Sequence, residues 1–171
     1  MKKIFLFICV GVVGFLIFSG SFSVKAECIR IHIRANSNTN IDQNVKYAVK
    51  DEVVKFLTPI IGETVDFEEA KQKVEASISE IERVAERVLE RRGFSYGARV
   101  RLTRENFPAR SYDGYVLEEG VYDALIIELG EGDGNNWWCV LFPPLCFTPV
   151  GKGDTIEYRS KIFELCKQIF G

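Results

Sequence analysis

From Cys28 to Arg34 the chain alternates strictly. Ile29, Ile31 and Ile33 fall on one side, and Arg30, His32 and Arg34 on the other. That period of two predicts a β-strand with one face buried. A polar turn covers residues 35–40, and Asn40 with Gln43 three residues on reads as a capping box. The periodicity then changes. Val45, Ala48, Val49, Val53, Phe56 and Leu57 share one helical stripe, which Pro59 and Gly62 should end. Asp66 with Glu69 forms a second capping box. Phe67, Ala70, Val74, Ile78, Ile81, Ala85 and Val88 run at three-four spacing to Gly93, so a second long helix is expected there. Its outer face carries Glu80, Arg83, Glu86, Arg87, Glu90 and Arg91, a solvated ion-pair surface that contributes little.

The second half is patterned as β. Residues 98–103 alternate again, and Asp113-Gly114 is a hairpin turn dipeptide ahead of Tyr115-Val116-Leu117. Within residues 121–129 the run Leu125-Ile126-Ile127 predicts a central strand covered on both faces. Residues 135–147 supply one more strand, on which Trp137 and Trp138 would point to opposite faces. A Gly-rich stretch, 148–153, precedes residues 154–171. There Ile156, Ile162, Phe163, Cys166, Ile169 and Phe170 recur at helical spacing. The expected fold is α+β: a mixed sheet of four to five strands, two long helices on one face, and a C-terminal amphipathic helix. The division is residues 1–26 as a targeting segment, 27–147 as a single domain, and 148–171 as linker and helix.

The first residues change the compartment. Met1-Lys2-Lys3 is a basic start, residues 4–18 are apolar and uncharged, and Val24-Lys25-Ala26 offers small residues before Glu27. This is the layout of a secretory signal cleaved after Ala26. A retained N-terminal anchor is the alternative. The apolar run, at about 15 residues, is shorter than the roughly 20 that a spanning helix needs. Taking Lys2, Lys3 and Lys25 from the 22 basic residues, and none of the 24 acidic ones, leaves a net charge of −5 with His32 neutral. That argues against nucleic acid as a partner and against polybasic attraction to lipid.

Outside the cytoplasm Cys28, Cys139, Cys146 and Cys166 are permitted disulfides. Cys139 and Cys146 are close in sequence, and Pro143-Pro144 between them can turn the chain back, so a local bridge leads. Buried thiols are the alternative. There is no paired Cys-x-x-Cys, and His32 is the only imidazole, so neither a metal nor another cofactor is expected. Two catalytic readings are open to the sequence. His32, Ser37 and Asp42 could make a nucleophilic set, but no Gly-x-Ser-x-Gly elbow is present. Glu131 and Asp133 could be a carboxylate pair for cell-wall hydrolysis, but a Gly-rich acidic loop favours turn residues. A carbohydrate-binding module with Trp137 and Trp138 as stacking platform is a third reading.

Three blocks resemble one family. They are Ile31-His32-Ile33-Arg34-Ala35-Asn36-Ser37; Tyr122-Asp123-Ala124-Leu125 with Gly130-Glu131-Gly132; and Asn136-Trp137-Trp138-Cys139-Val140-Leu141-Phe142-Pro143-Pro144-Leu145-Cys146. The pattern resembles the stage II sporulation protein R family of endospore-forming bacteria over about residues 29–147. Asn135 departs from it, standing where His is expected in many members. The resemblance implies a signalling protein and not an enzyme. Such a protein is exported from the forespore into the space between forespore and mother-cell membranes. Its partner there is a membrane-embedded aspartic protease of the mother cell, which then removes the pro-sequence of pro-sigma-E. On this reading Asn136, Trp137, Trp138, Phe142, Pro143 and Pro144 are the candidate partner-binding residues.

Overall fold

The computed structural model of the protein describes residues 27–112 and 115–144. Strand β1 (Ile29–Arg34) is followed by helices α1 (Asn40–Ile61), α2 (Phe67–Ala76) and α3 (Ile78–Arg91). Then come β2 (Ala98–Phe107), β3 (Arg110–Tyr112), β4 (Tyr115–Leu117), β5 (Gly120–Leu129) and β6 (Asn136–Phe142). A four-stranded sheet has the order β2-β5-β1-β6, and β3 and β4 form a separate two-stranded hairpin. β1 runs parallel to β5, with Ile31 opposite Leu125, and antiparallel to β6, with His32 opposite Trp138. β2 is antiparallel to β5. The sheet is therefore mixed, and the fold is α+β. Tyr112 pairs with Tyr115 across the expected Asp113-Gly114 turn, whose two residues lie outside the described ones.

The helix boundaries follow local chemistry. Thr39, and not Asn40, caps α1: its Oγ1 accepts from the Asp42 N–H at 3.3 Å. Gln43 does not close a box; its amide donates to the Ser37 carbonyl at 2.9 Å. Pro59 sits inside the last turn of α1, which continues to Ile61 and ends at Gly62. Asp66 caps α2 as expected, accepting from the Glu69 N–H at 2.8 Å. The single helix expected from Phe67 to Gly93 is broken at Ser77. The Ser77 hydroxyl donates to the Lys73 carbonyl at 2.7 Å, and its N–H bonds Val74 O at 3.0 Å, a tighter i→i−3 turn. A serine that competes with the backbone in this way lets the axis change. Gly93, at φ 78°, follows the end of α3.

All three helices pack through one core. Val45, Val49, Val53, Leu57 and Ile61 of α1 are buried together with Ala70 and Val74 of α2, Ile81, Ala85, Val88 and Leu89 of α3, and Ile29, Ile31 and Ile33 of β1. Full burial of each large aliphatic chain contributes about 1.5–3 kcal/mol. Leu125, Ile126 and Ile127 are all fully buried, as the apolar run predicts for a strand with neighbours on both sides and cover on both faces.

β1 departs from its expected form. Its second face is buried too: Arg30 is 0% exposed and His32 3%. The Arg30 guanidinium carbon lies 4.2 Å from the Phe107 ring centre and 5.1 Å from that of Tyr122. A delocalised, weakly hydrated cation tolerates such aromatic burial. A smaller apolar cluster, Cys28, Phe107, Tyr122, Ala124, Ile126 and Val140, covers that end of the second face. The expected C-terminal helix, the targeting segment, Cys146 and Cys166 lie outside the described residues. Among the described residues no helix is long and apolar enough to cross a membrane.

Candidate functional site

Two of the marked blocks meet in space. The turn after β1 and the loop between β5 and β6 are tied by four hydrogen bonds. Asn36 Oδ1 accepts from the Glu131 N–H at 3.0 Å, and Asn38 Oδ1 from the Asn135 N–H at 2.7 Å. The Gly134 N–H donates to Ala35 O at 2.8 Å and the Asp133 N–H to Asn36 O at 3.3 Å. The glycines are required by this contact. Gly130 has φ +58°, and a Cβ there would lie 2.2 Å from Asn36 Oδ1. A Cβ on Gly134 would lie 2.2 Å from the Ser37 carbonyl oxygen.

Asp42 anchors the turn. Its carboxylate accepts from Ser37 Oγ at 2.5 Å, Tyr96 Oη at 2.6 Å and Asn36 Nδ2 at 3.0 Å. Burial raises its pKa, but the hydrogen bonds from Ser37, Tyr96, Asn36 and Thr39 outweigh it and hold the carboxyl below its ordinary value. Burial, with Asp42 beside it, pushes the Tyr96 phenol up. Lys46, also buried, donates to Gln43 Oε1 at 2.7 Å and to the Asn135 carbonyl at 2.9 Å. Burial pulls its pKa down. Asn135 thus contributes its backbone N–H and carbonyl here. Lys46 was missed as a site residue, and Asp42 was marked only as the acid of a nucleophilic set. Their signal was a pair of charges at i, i+4 on the stripe that also carries Val45, Val49 and Val53.

The candidate binding residues sit on and beside β6, at the edge of the four-stranded sheet. Trp137 is half-buried against the helix-side core, with Lys50 Nζ 5.8 Å from its ring centre. Trp138 is half-buried on the opposite face, 5.3 Å from the His32 ring, with the Arg110 guanidinium 4.4 Å above it. Asn136 is exposed, and Pro143 and Pro144 are half-exposed after a cis Phe142–Pro143 bond. Phe142 is different: it is buried and meets the Phe67 ring at 6.4 Å, so its contact is with the core.

The sheet face opposite the three described helices also carries a charge network. Arg34 bonds Glu105 at 2.6 Å and Glu128 at 2.7 Å, and Arg101 pairs with Glu128. Hydrogen bonding from Arg101 holds Glu128 low against burial, and Arg34 adds to this. His32 Nδ1 lies 3.1 Å from Glu105 Oε1. An ionised carboxylate only accepts, so the ring proton sits on Nδ1 and Nε2 is a bare acceptor. Nε2 is buried and makes no hydrogen bond among the described residues, a tolerable state for a neutral ring. Burial lowers the His32 pKa; the Asn136 and Glu105 side chains pull the other way, and Arg34 adds to the lowering.

The nucleophilic set is not assembled. Ser37 donates its proton to Asp42, and His32 engages Glu105. Glu131 and Asp133 are exposed loop residues whose N–H groups bond the Asn36 side chain and carbonyl. Among the described residues no group of three His, Cys, Asp or Glu could hold a metal ion.

This architecture is a small α+β domain in which some of the marked residues join two loops and others place Trp137 and Trp138 on a sheet edge. The family model for stage II sporulation protein R matches residues 25–152. Stage II sporulation protein R of Bacillus subtilis (strain 168) is 37% identical over 137 residues, 80% of this chain and 61% of that protein. The chain belongs to the stage II sporulation protein R family. It spans about three fifths of the length of that curated relative. No solved structure matches it.

Proposed function

We propose that this protein is an exported sporulation signal. On this reading it acts between the forespore and mother-cell membranes, where it activates a membrane-embedded aspartic protease that processes pro-sigma-E. It is a ligand for that protease and carries out no chemistry itself. The observation that carries the reading is the place of the family's most specific block. Trp137, Trp138, Asn136, Pro143 and Pro144 lie along a sheet edge, and both indoles are half-exposed. Large aromatic side chains at the border of core and solvent suit a binding hot spot. The loop bonded to the Asp42 knot holds that edge in one conformation, which lowers the ordering cost of binding.

The test is direct reconstitution. Purified protein is added to membranes that carry the protease and pro-sigma-E. Processing should depend on the added protein and fail with the Trp137→Ala/Trp138→Ala double variant. Processing that proceeds equally without the protein would overturn the reading.

A further inference from the structure

On the sheet face opposite the three described helices, the four strands align their side chains in rows. One row reads Arg99, Glu128, Arg34, Asn136 from β2 to β6, and the next Arg101, Ile126, His32, Trp138. The two carboxylates on this face are already engaged: Glu105 by Arg34 and His32, Glu128 by Arg34 and Arg101. Arg99 and Arg110 are exposed and form no ion pair among the described residues. Arg110 instead lies over Trp138, its guanidinium carbon 4.4 Å from the ring centre. A guanidinium held on an indole keeps its N–H fork directed outward and loses little freedom on binding.

The face therefore carries a cationic surplus on a chain whose overall charge is negative. We propose that it docks an acidic, extended segment of a protein partner, with Arg99 and Arg110 as carboxylate receptors and Trp138 as the apolar anchor. That the partner is the activated protease rests on the function proposed above; the chemistry of the surface does not. Guanidinium forks match carboxylates in bidentate geometry. From β2 to β6 the face crosses three interstrand spacings, about 14 Å, a distance that about four or five extended residues cover. An anionic membrane is the poorer match. Lipid-binding patches gather about four to eight uncompensated Lys or Arg residues, and here carboxylates are interleaved with the arginines.

The experiment titrates the purified full chain with hexaglutamate and follows the backbone amides by NMR. Hexalysine and phosphatidylglycerol vesicles are run in parallel. Saturable shifts should appear on β2, β5 and β6 with hexaglutamate alone, and should weaken as salt is raised. Arg99→Gln/Arg110→Gln, with an unchanged melting curve, should bind about tenfold more weakly, the loss expected for charge-assisted bonds. Lys55→Gln, an exposed change on α1, should bind like the unmodified protein. No saturable binding, an equal loss with Lys55→Gln, or a response of these strands to vesicles in place of peptide would overturn the proposal. If hexaglutamate binds as described but the unmodified protein fails to trigger pro-sigma-E processing, the proposed function fails and the acidic-segment surface stands.

Discussion

Replacing Asp42 by alanine removes one carboxylate and leaves three donors: Ser37 Oγ, Tyr96 Oη and Asn36 Nδ2. A hydrogen bond to a charged acceptor contributes about 1.5–3 kcal/mol net. All three donors belong to half-exposed residues that water can reach, so the low end applies. The three bonds also share one acceptor and are not additive. The expected loss is about 3–4 kcal/mol, a large fraction of the roughly 5–15 kcal/mol that stabilises a domain. With a urea m-value of about 2 kcal/mol/M the midpoint should fall by about 1.5–2 M at unchanged slope. The double-mutant cycle with Tyr96→Phe should show coupling of about 1 kcal/mol or more. The pH dependence gives a second readout. The folded pKa of Asp42 lies below its ordinary value of 3.8, so its contribution is fully present above that value. The contribution is lost as pH falls through the lower folded value. Asp42→Asn should lack this part of the acid-induced loss. A destabilisation below about 1 kcal/mol, or strict additivity with Tyr96→Phe, would refute the account of Asp42 as the knot of the turn.

Gly134→Ala drives a Cβ to 2.2 Å from the Ser37 carbonyl, a backbone atom that cannot swing aside, and should lower the melting temperature by several degrees. Trp137→Ala and Trp138→Ala should each cost about 2–3 kcal/mol, less than the roughly 3–5 for a fully buried aromatic, because both rings are half-exposed. Urea melts beside the processing assay would show whether one of them loses activation beyond its loss of stability. His32 takes up its proton in the fold at a pH below its ordinary 6.5, so the unfolded chain is protonated first. Stability should be full above about 6.5 and fall as pH drops through the lower folded value, with a shallower slope in His32→Gln; equal slopes in urea melts would count against it. Cys139 and Cys146, if bridged, should resist alkylation in unreduced protein, and reduction should cost about 2–3 kcal/mol.

What could be read from the sequence was whatever a local pattern encodes. Leu125-Ile126-Ile127 reported a doubly covered strand, Asp66 a cap and Gly93 a helix end, because each depends only on near neighbours. The register of Tyr112 against Tyr115 follows from Asp113-Gly114 in the same way. Ser77 was silent, since hydroxyl competition with the backbone leaves no gap in a three-four apolar pattern. The misreading of β1 had a different cause. Arg30 and His32 look like a solvent face, and only Phe107, Pro108 and Glu105, more than 70 positions away, make it an interior one. For the same reason, the pairing of Asn36 with Gly130 and Glu131 could not be seen in either block alone. The marked residues were visible, but the fact that Ala35, Asn36, Gly130 and Glu131 among them hold two loops together was not.

The order β2-β5-β1-β6 has a consequence for how the chain comes together in time. β1 is the first strand to emerge from a ribosome or to be threaded through a pore N-terminus first, yet both of its neighbours, β5 and β6, come last. Its pairing partners begin at Asp123 and end at Phe142. Until those residues arrive, Ile29, Ile31 and Ile33 have no sheet to join, and the helices have only each other to cover. Such late closure of distant contacts makes for slow folding. The β1–β5 pair can form only once residues through Glu128 are present, and the β1–β6 pair only once residues through Phe142 are.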